Sequence, residues 1–172
     1  MPSANFQLDH SSHRATGPLP LRLLAHDVDI ALNVGALFRI ADALGVEHVH
    51  LTGSSPLPPD PKIRKTSRSA ERHVAWSYAA DPLEIVATLK AQGWRILSLE
   101  LSSGSIALHE LAVAPGDRVC LIVGAENAGV CQALLDVSDV TVHVPMRGHN
   151  SSMTVANACA IATYEIARRL AR

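Results

Sequence analysis

Short apolar runs that read as strands alternate along this chain with segments whose apolar residues recur at helical spacing, and this alternation restricts the fold more than any other property. Leu21 to His26 is a compact apolar run; Asn33 to Leu44 follows with Leu37, Ile40, Ala41 and Leu44 on one helix face, stopped by Gly45. Val46 to Leu51 alternates as a strand. Pro82 to Gln92 reads as a helix with Asp81 as cap, Pro82 at its first position and Gly93 as stop, and Arg95 to Leu99 is the next strand. Arg118 to Val123 is a strand, Val130 to Leu135 a short helix, Val140 to Val144 a strand, and Ser152 to Arg172 a long terminal helix. Such alternation predicts an α/β fold, a mostly parallel sheet with helices on both faces and ligands at the carboxyl ends of its strands.

The 172 residues suit a single domain over 19–172 behind a flexible polar arm at 1–18. With 48% hydrophobic but only 3% aromatic residues, the core must be built from Ala, Leu, Val and Ile. No apolar run approaches the ~20 residues of a membrane span and the opening segment is too polar for a signal peptide, so a cytoplasmic protein without a membrane anchor is expected. Cys120, Cys131 and Cys159 are odd in number, lack metal-ligand spacing and lie in apolar segments, which predicts buried reduced thiols and no metal site. A net charge of −1 excludes a generally basic nucleic-acid coat. Locally, however, five of the fifteen Lys and Arg residues, Lys62, Arg64, Lys65, Arg68 and Arg72, form a basic strip that is either a solvated face or a grip for phosphates. Arg147 and the C-terminal arginines are further candidates for phosphate contacts.

Three loops carry residue types that simple connections do not need. In Asn33-Val-Gly-Ala-Leu-Phe-Arg39, Asn33 is a good helix cap, and Arg39 shares a face with Gly35. Arg39 is expected either to extend back over the bare Gly35 backbone as a fork for a phosphate, or to pair with Asp42. In Leu121-Ile-Val-Gly-Ala-Glu-Asn-Ala-Gly129, Gly124 admits a close ligand or another backbone, Gly129 suits a turn, and the Glu126 carboxylate needs loop amides or a ligand as partners. That loop is a structural turn or a site. In the third, Val144-Pro-Met-Arg-Gly-His-Asn-Ser-Ser-Met153, polar residues collect at a helix N-terminus where backbone N–H groups gather; Ser151 or Ser152 caps that helix, or the segment forms a cofactor pocket. The helix beyond it, with Ala156, Ala158, Cys159, Ala160 and Ala162, has a small surface suited to close packing in the sheet or on a second subunit.

Taken in this order, Asn33-x-Gly35-x-x-x-Arg39, Gly124-x-Glu126-x-x-Gly129, and Val144-Pro-Met followed by Ser152-Met-x-Val and the Ala-rich helix resemble the three motifs of the SpoU/TrmH-type RNA ribose methyltransferases of the SPOUT superfamily. Lys65-Thr-Ser-x-x-Ala-Glu71 is similar to a further stretch of that family, with Ser69 where Gly is usual. The resemblance runs from about Leu21 to the C-terminus. It implies a C-terminal deep trefoil knot, S-adenosylmethionine bound in it, a homodimer, and methylation of a ribose 2′-hydroxyl in RNA, with tRNA ahead of rRNA by analogy with small single-domain members. Carried over by position, Leu99, Gly124, Val144, Met146, Ser152 and Met153 would contact the cofactor, Arg39 would be the catalytic arginine, and Asn33 and Glu126 would shape the active site. Because a guanidinium is a poor base, Arg39 is expected to orient the hydroxyl and its phosphate. Thr154 stands where the family usually has Asn, and a non-catalytic RNA-binding module on the same fold is the competing reading.

Overall fold

Seven strands form one sheet in the computed structural model, which describes residues 5–172: β1 (Leu19–His26), β2 (Val46–Thr52), β3 (Ala75–Ala79), β4 (Arg95–Leu99), β5 (Ile106–Ala107), β6 (Val119–Val123) and β7 (Val140–His143). Four helices connect strands, α1 (Ala31–Leu44), α2 (Pro61–Ser67), α3 (Pro82–Ala91) and α4 (Gln132–Val137), and a fifth, α5 (Val155–Leu170), follows β7. The strand order is β3-β2-β1-β6-β4-β7-β5, and every pairing is parallel. The expected architecture is therefore present, with a sheet that is parallel throughout.

Central strands buried on both faces must be apolar along their whole length. Leu21, Leu23, Leu24 and Ala25 of β1 and Val119 to Val123 of β6 are all fully buried. Alternate residues feed two cores. One, with Leu23, Leu121 and Leu97, packs beneath α1, α2 and α5; the other, with Leu24, Ile122 and Ile96, packs beneath α3 and α4. Asp81 caps α3 through a bond from the Leu83 amide at 2.8 Å, with Pro82 in the first turn as expected.

Several boundaries depart from the sequence expectation. β3 is an edge strand whose Trp76 and Tyr78 alternate with small residues, and β5 pairs over two residues only, too short to carry a period. Helix α4 starts at Gln132 and α5 at Val155, each later than expected. Cys120 and Cys159 are buried, and burial pushes their thiols up to about 12 and about 11. Cys131 is exposed, because it sits at the N-cap of α4 and not on its packed face. Residues 5–18 of the arm are exposed throughout and form a single 3-10 turn at His10–Ser12; residues 1–4 lie outside the described residues. Among the described residues no helix is long and apolar enough to cross a membrane.

Candidate active site

After β6 the chain makes a tight turn in which Ala125 and Gly129 exchange backbone hydrogen bonds of 3.1 and 2.9 Å, leaving residues 126–128 protruding. A Cβ on Gly124 would stand 2.2 Å from the Gly129 carbonyl oxygen, so the glycine admits another backbone, one of the two uses the sequence left open. From this turn Glu126 reaches two helix starts. Its Oε2 accepts a hydrogen bond from Asn33 Nδ2 at 2.9 Å and from the Val155 amide at 3.2 Å. Asn33 is in the first turn of α1 and Val155 opens α5, so the carboxylate lies where both helix dipoles favour negative charge.

That arrangement corrects two expected caps. Helix α1 begins at Ala31, before Asn33, and its N-cap Ile30 makes no side-chain cap bond; the Asn33 amide is turned to Glu126 instead. Neither Ser151 nor Ser152 caps α5. Thr154 holds the N-cap position without a side-chain bond, and Glu126 takes the first helical amide.

Gly35 has a use different from the one expected. A Cβ there would meet Thr66 Oγ1 at 2.0 Å and the Ile63 carbonyl oxygen at 2.3 Å, so the bare backbone seats α2 and is not open beneath a guanidinium. The Thr66 hydroxyl donates to the Leu32 carbonyl at 2.8 Å and fastens the same contact. Arg39 is exposed one turn farther along α1, and among the described residues it pairs with neither Asp42 nor any other group.

A narrow cleft of about 90 Å³ opens at the carboxyl ends of β4 and β7, with walls from Leu99, Leu101, Val144, Met146, Ser152 and Met153. Five of the six residues expected at the cofactor are brought together here; Gly124 is not part of the wall. Two further groups that the sequence reading did not single out hold the cleft's loops. Glu100 accepts from the Leu101 amide through Oε1 and from the Val130 amide through Oε2, both at 2.9 Å, tying the loop after β4 to the turn after β6. Ser105 Oγ lies 3.0 Å from His143 Nδ1, tying the same loop to β7. Glu100 stands directly after a predicted strand end, the argument already applied to Glu126, and could have been found the same way.

The cleft suits S-adenosylmethionine in its chemistry: apolar walls for a purine, thioethers at Met146 and Met153, and a carboxylate in Glu100. Its volume is below the ~300–1,000 Å³ usual for ligand pockets, and its walls include flexible Met side chains and the largely exposed segment after β7.

Lys62, Arg64 and Lys65 are exposed on α2, Arg68 at its C-cap and Arg72 in the 3-10 turn beyond; Arg64 and Arg72 line one hollow and Lys62 another, so the basic strip is divided over two sides of α2, which the Gly35 contact fixes against α1. Arg147 is exposed in the segment after β7. The C-terminal arginines are committed elsewhere. Arg168 and Arg169 both bond Glu165, holding its carboxyl down to about 2, and Arg169 also donates to the His109 and Leu111 carbonyls. Their expected availability to phosphates is thus corrected for Arg168 and Arg169.

The sequence profile of the SpoU rRNA Methylase family matches residues 20–164. An uncharacterised tRNA/rRNA methyltransferase of Mycobacterium tuberculosis is 38% identical over 142 residues, covering 79% of this chain and 48% of the relative. The Escherichia coli tRNA (guanosine(18)-2′-O)-methyltransferase is 31% identical over 140 residues, covering 80% of this chain and 58% of the relative. The chain thus spans about half the length of these two relatives. A solved structure described as giving insight into 2-OH methylation of C/U34 on tRNA is 30% identical, with a TM-score of 0.75, and covers 90% of this chain and 99% of that one.

Proposed function

This chain belongs to the SpoU rRNA Methylase family, and from that premise we propose that it transfers a methyl group from S-adenosylmethionine to a ribose 2′-hydroxyl of RNA, with tRNA as the substrate class. One observation carries the reading: the Glu126 carboxylate joins Asn33 and the start of α5, uniting the three motif segments beside a cleft lined by Leu99, Val144 and Ser152. The assignment to tRNA is supported by similarity to the C/U34-methylation structure, which this chain matches over nearly its whole length, and to the E. coli enzyme named for guanosine 18.

When bound, S-adenosylmethionine supplies a methyl carbon on a sulfonium, which passes to the ribose oxygen as the carbon–sulfur bond breaks and leaves one proton to remove. The chain's own contribution is alignment. Arg39, without a side-chain partner among the described residues, offers a planar fork that orients the hydroxyl and its neighbouring phosphate. Asn33 and Glu126 hold the α1 start, the 124–129 turn and the α5 start in one geometry. Leu99, Val144, Met146, Ser152 and Met153 grip the cofactor, and Gly124 acts by closing the adjacent turn. Lys62, Arg64, Lys65, Arg68, Arg72 and Arg147 supply phosphate contacts.

The trefoil knot belongs to this proposal. β7 lies between β4 and β5, so the 100–105 loop that joins those two strands must cross β7, and the chain leaving β7 has to pass that loop to reach α5. A homodimer is supported by the apolar hollow over α5, where Ile161 is 43% and Tyr164 58% exposed beside Val144 and Pro145. The reaction and the lack of a membrane-crossing helix among the described residues fit a cytoplasmic enzyme.

Transfer of labelled methyl from S-adenosylmethionine into unmodified RNA, fractionated by size, tests the reading. Label entering the tRNA fraction and lost with Arg39→Ala is the expected result. Measurable cofactor binding with no label in any fraction would favour the non-catalytic module.

A further inference from the structure

A second hollow, of about 460 Å³ and within the size range of ligand sites, lies between α2 and the edge strand β3, apart from the cleft described above. Pro58, Pro59, the fully buried Ile63 and the half-buried Trp76 form its apolar wall. Phe38 packs edge-to-face against Trp76, with ring centroids 6.5 Å apart, and fixes the indole from within the core. Arg64 and Arg72 stand exposed at the rim.

Among the described residues, neither guanidinium at this hollow is engaged by its two carboxylates. Asp60 is committed to capping α2, accepting from the Lys62 and Ile63 amides at 2.7 and 3.3 Å, and Glu71 accepts from the Ser67 hydroxyl. Neither Arg64 nor Arg72 makes a side-chain hydrogen bond or ion pair among the described residues. An aromatic wall of this width beneath two unpaired guanidiniums complements a flat ring attached to a phosphate. An apolar peptide would leave both cations unanswered, and a base-paired duplex presents no free ring face to the indole.

We propose that this hollow is a subsite for one unpaired nucleotide of the RNA substrate, its base on Trp76 and its phosphates at Arg64 and Arg72. The proposal rests on the RNA reading above and adds the requirement for an unstacked base. Trp76, which walls the hollow, packs on Phe38, the residue before Arg39 in α1, so the nucleotide held here is a neighbour of the one presented to Arg39. The Gly35 contact sets the spacing between the two, because it fixes α2 on the helix that carries Arg39.

The full-length protein is titrated with a short single-stranded oligoribonucleotide and with a blunt duplex of the same sequence, following both the anisotropy of an end label and tryptophan emission. Only two tryptophans are present, and Trp94 is 3% exposed between the Arg22 and Arg118 guanidiniums, so a change in emission reports on Trp76. The single strand is expected to quench emission and the duplex to bind without quenching. The quench should vanish in Trp76→Phe, a substitution that keeps a ring against Phe38, while anisotropy still shows binding. Replacing Arg64 and Arg72 together by Gln should weaken single-strand binding about tenfold. Single-strand binding without a quench, or an undiminished quench in Trp76→Phe, overturns the subsite and leaves the RNA reading in place. Binding of neither RNA overturns the RNA reading and the subsite with it.

Discussion

Glu126 accepts a hydrogen bond at 2.9 Å from the side chain of Asn33, a residue 93 positions earlier, and with the same oxygen it holds the first amide of α5. Substituting Glu126→Gln removes the negative charge from two helix N-termini while keeping the side-chain shape. Because the carboxylate is exposed, stability should fall by only about 1 kcal/mol. Misplacement of reacting groups by fractions of an ångström is costly in rate, so methyl transfer should fall about a hundredfold. Urea unfolding alongside single-turnover transfer separates the two effects, and a normal rate would make the bridge purely structural.

Gly35→Ala inserts a methyl group where Thr66 Oγ1 and the Ile63 carbonyl already stand. Two helices would have to part, at a cost of about 3 kcal/mol. Gly148→Ala, in an exposed segment with nothing within 4 Å of the added carbon, is the control and should stay within about 0.5 kcal/mol of the parent. Urea midpoints at constant slope measure both.

Arg39→Lys should leave thermal stability unchanged, since the guanidinium has no partner among the described residues. An ammonium lacks the planar fork, so transfer at saturating cofactor should drop by about tenfold or more. A rate equal to that of the parent would remove the orienting role from Arg39.

Ser69 adopts φ 70°, a left-handed conformation that costs a side-chain-bearing residue about 1–2 kcal/mol. Ser69→Gly relieves that strain but adds freedom to the unfolded chain, for a net gain of about 0.5 kcal/mol. Ser69→Ala should show no such gain when the two are compared by chemical unfolding.

His50 gives the protein a specific pH dependence. Its Nδ1 lies 3.1 Å from Ser77 Oγ, its Nε2 is buried without a partner among the described residues, and burial together with nearby His48 and Arg22 holds its pKa down to about 3. The unfolded chain takes up this proton near pH 6.5, while the folded chain refuses it until about pH 3. Stability is therefore full above pH 6.5 and declines as pH falls through that window, by at most about 1.4 kcal/mol per unit from this one group. His48, also lowered by burial, acts in the same direction. Urea midpoints at pH 7 and pH 5 should differ less in His50→Gln; the Glu165 contribution is lost only at lower pH, because its carboxyl is held near 2.

The alternation of apolar runs with helical faces was enough to read the parallel sheet, because central strands such as β6 are buried on both sides and carry no polar interruption. The edge elements were not legible: β3 is half exposed, and β5 pairs too few residues to show a period. At the site, residue types pointed to Asn33, Glu126 and Arg39, but not to how they are used. Asn33 resembles a cap because a short amide suits that position, and only the fold shows that a carboxylate from a distant turn claims it. Gly35 likewise announces a close approach without naming the helix that makes it. The second hollow was invisible because Trp76 and the Pro58–Pro59 corner are brought together only by packing of α2 on α1.

The order of strands has a consequence for synthesis. β4 leaves the ribosome before β6 and β7, the two strands that flank it, so one edge waits unpaired until β6 begins about twenty residues later and the other until β7 begins about forty residues later. During that interval Ile96 and Leu97, fully buried in the finished fold, lie on a strand whose open edges are prone to pairing with the wrong partner. The cleft, built from β4 and the segment after β7, comes into being last, when the final helix finds its place.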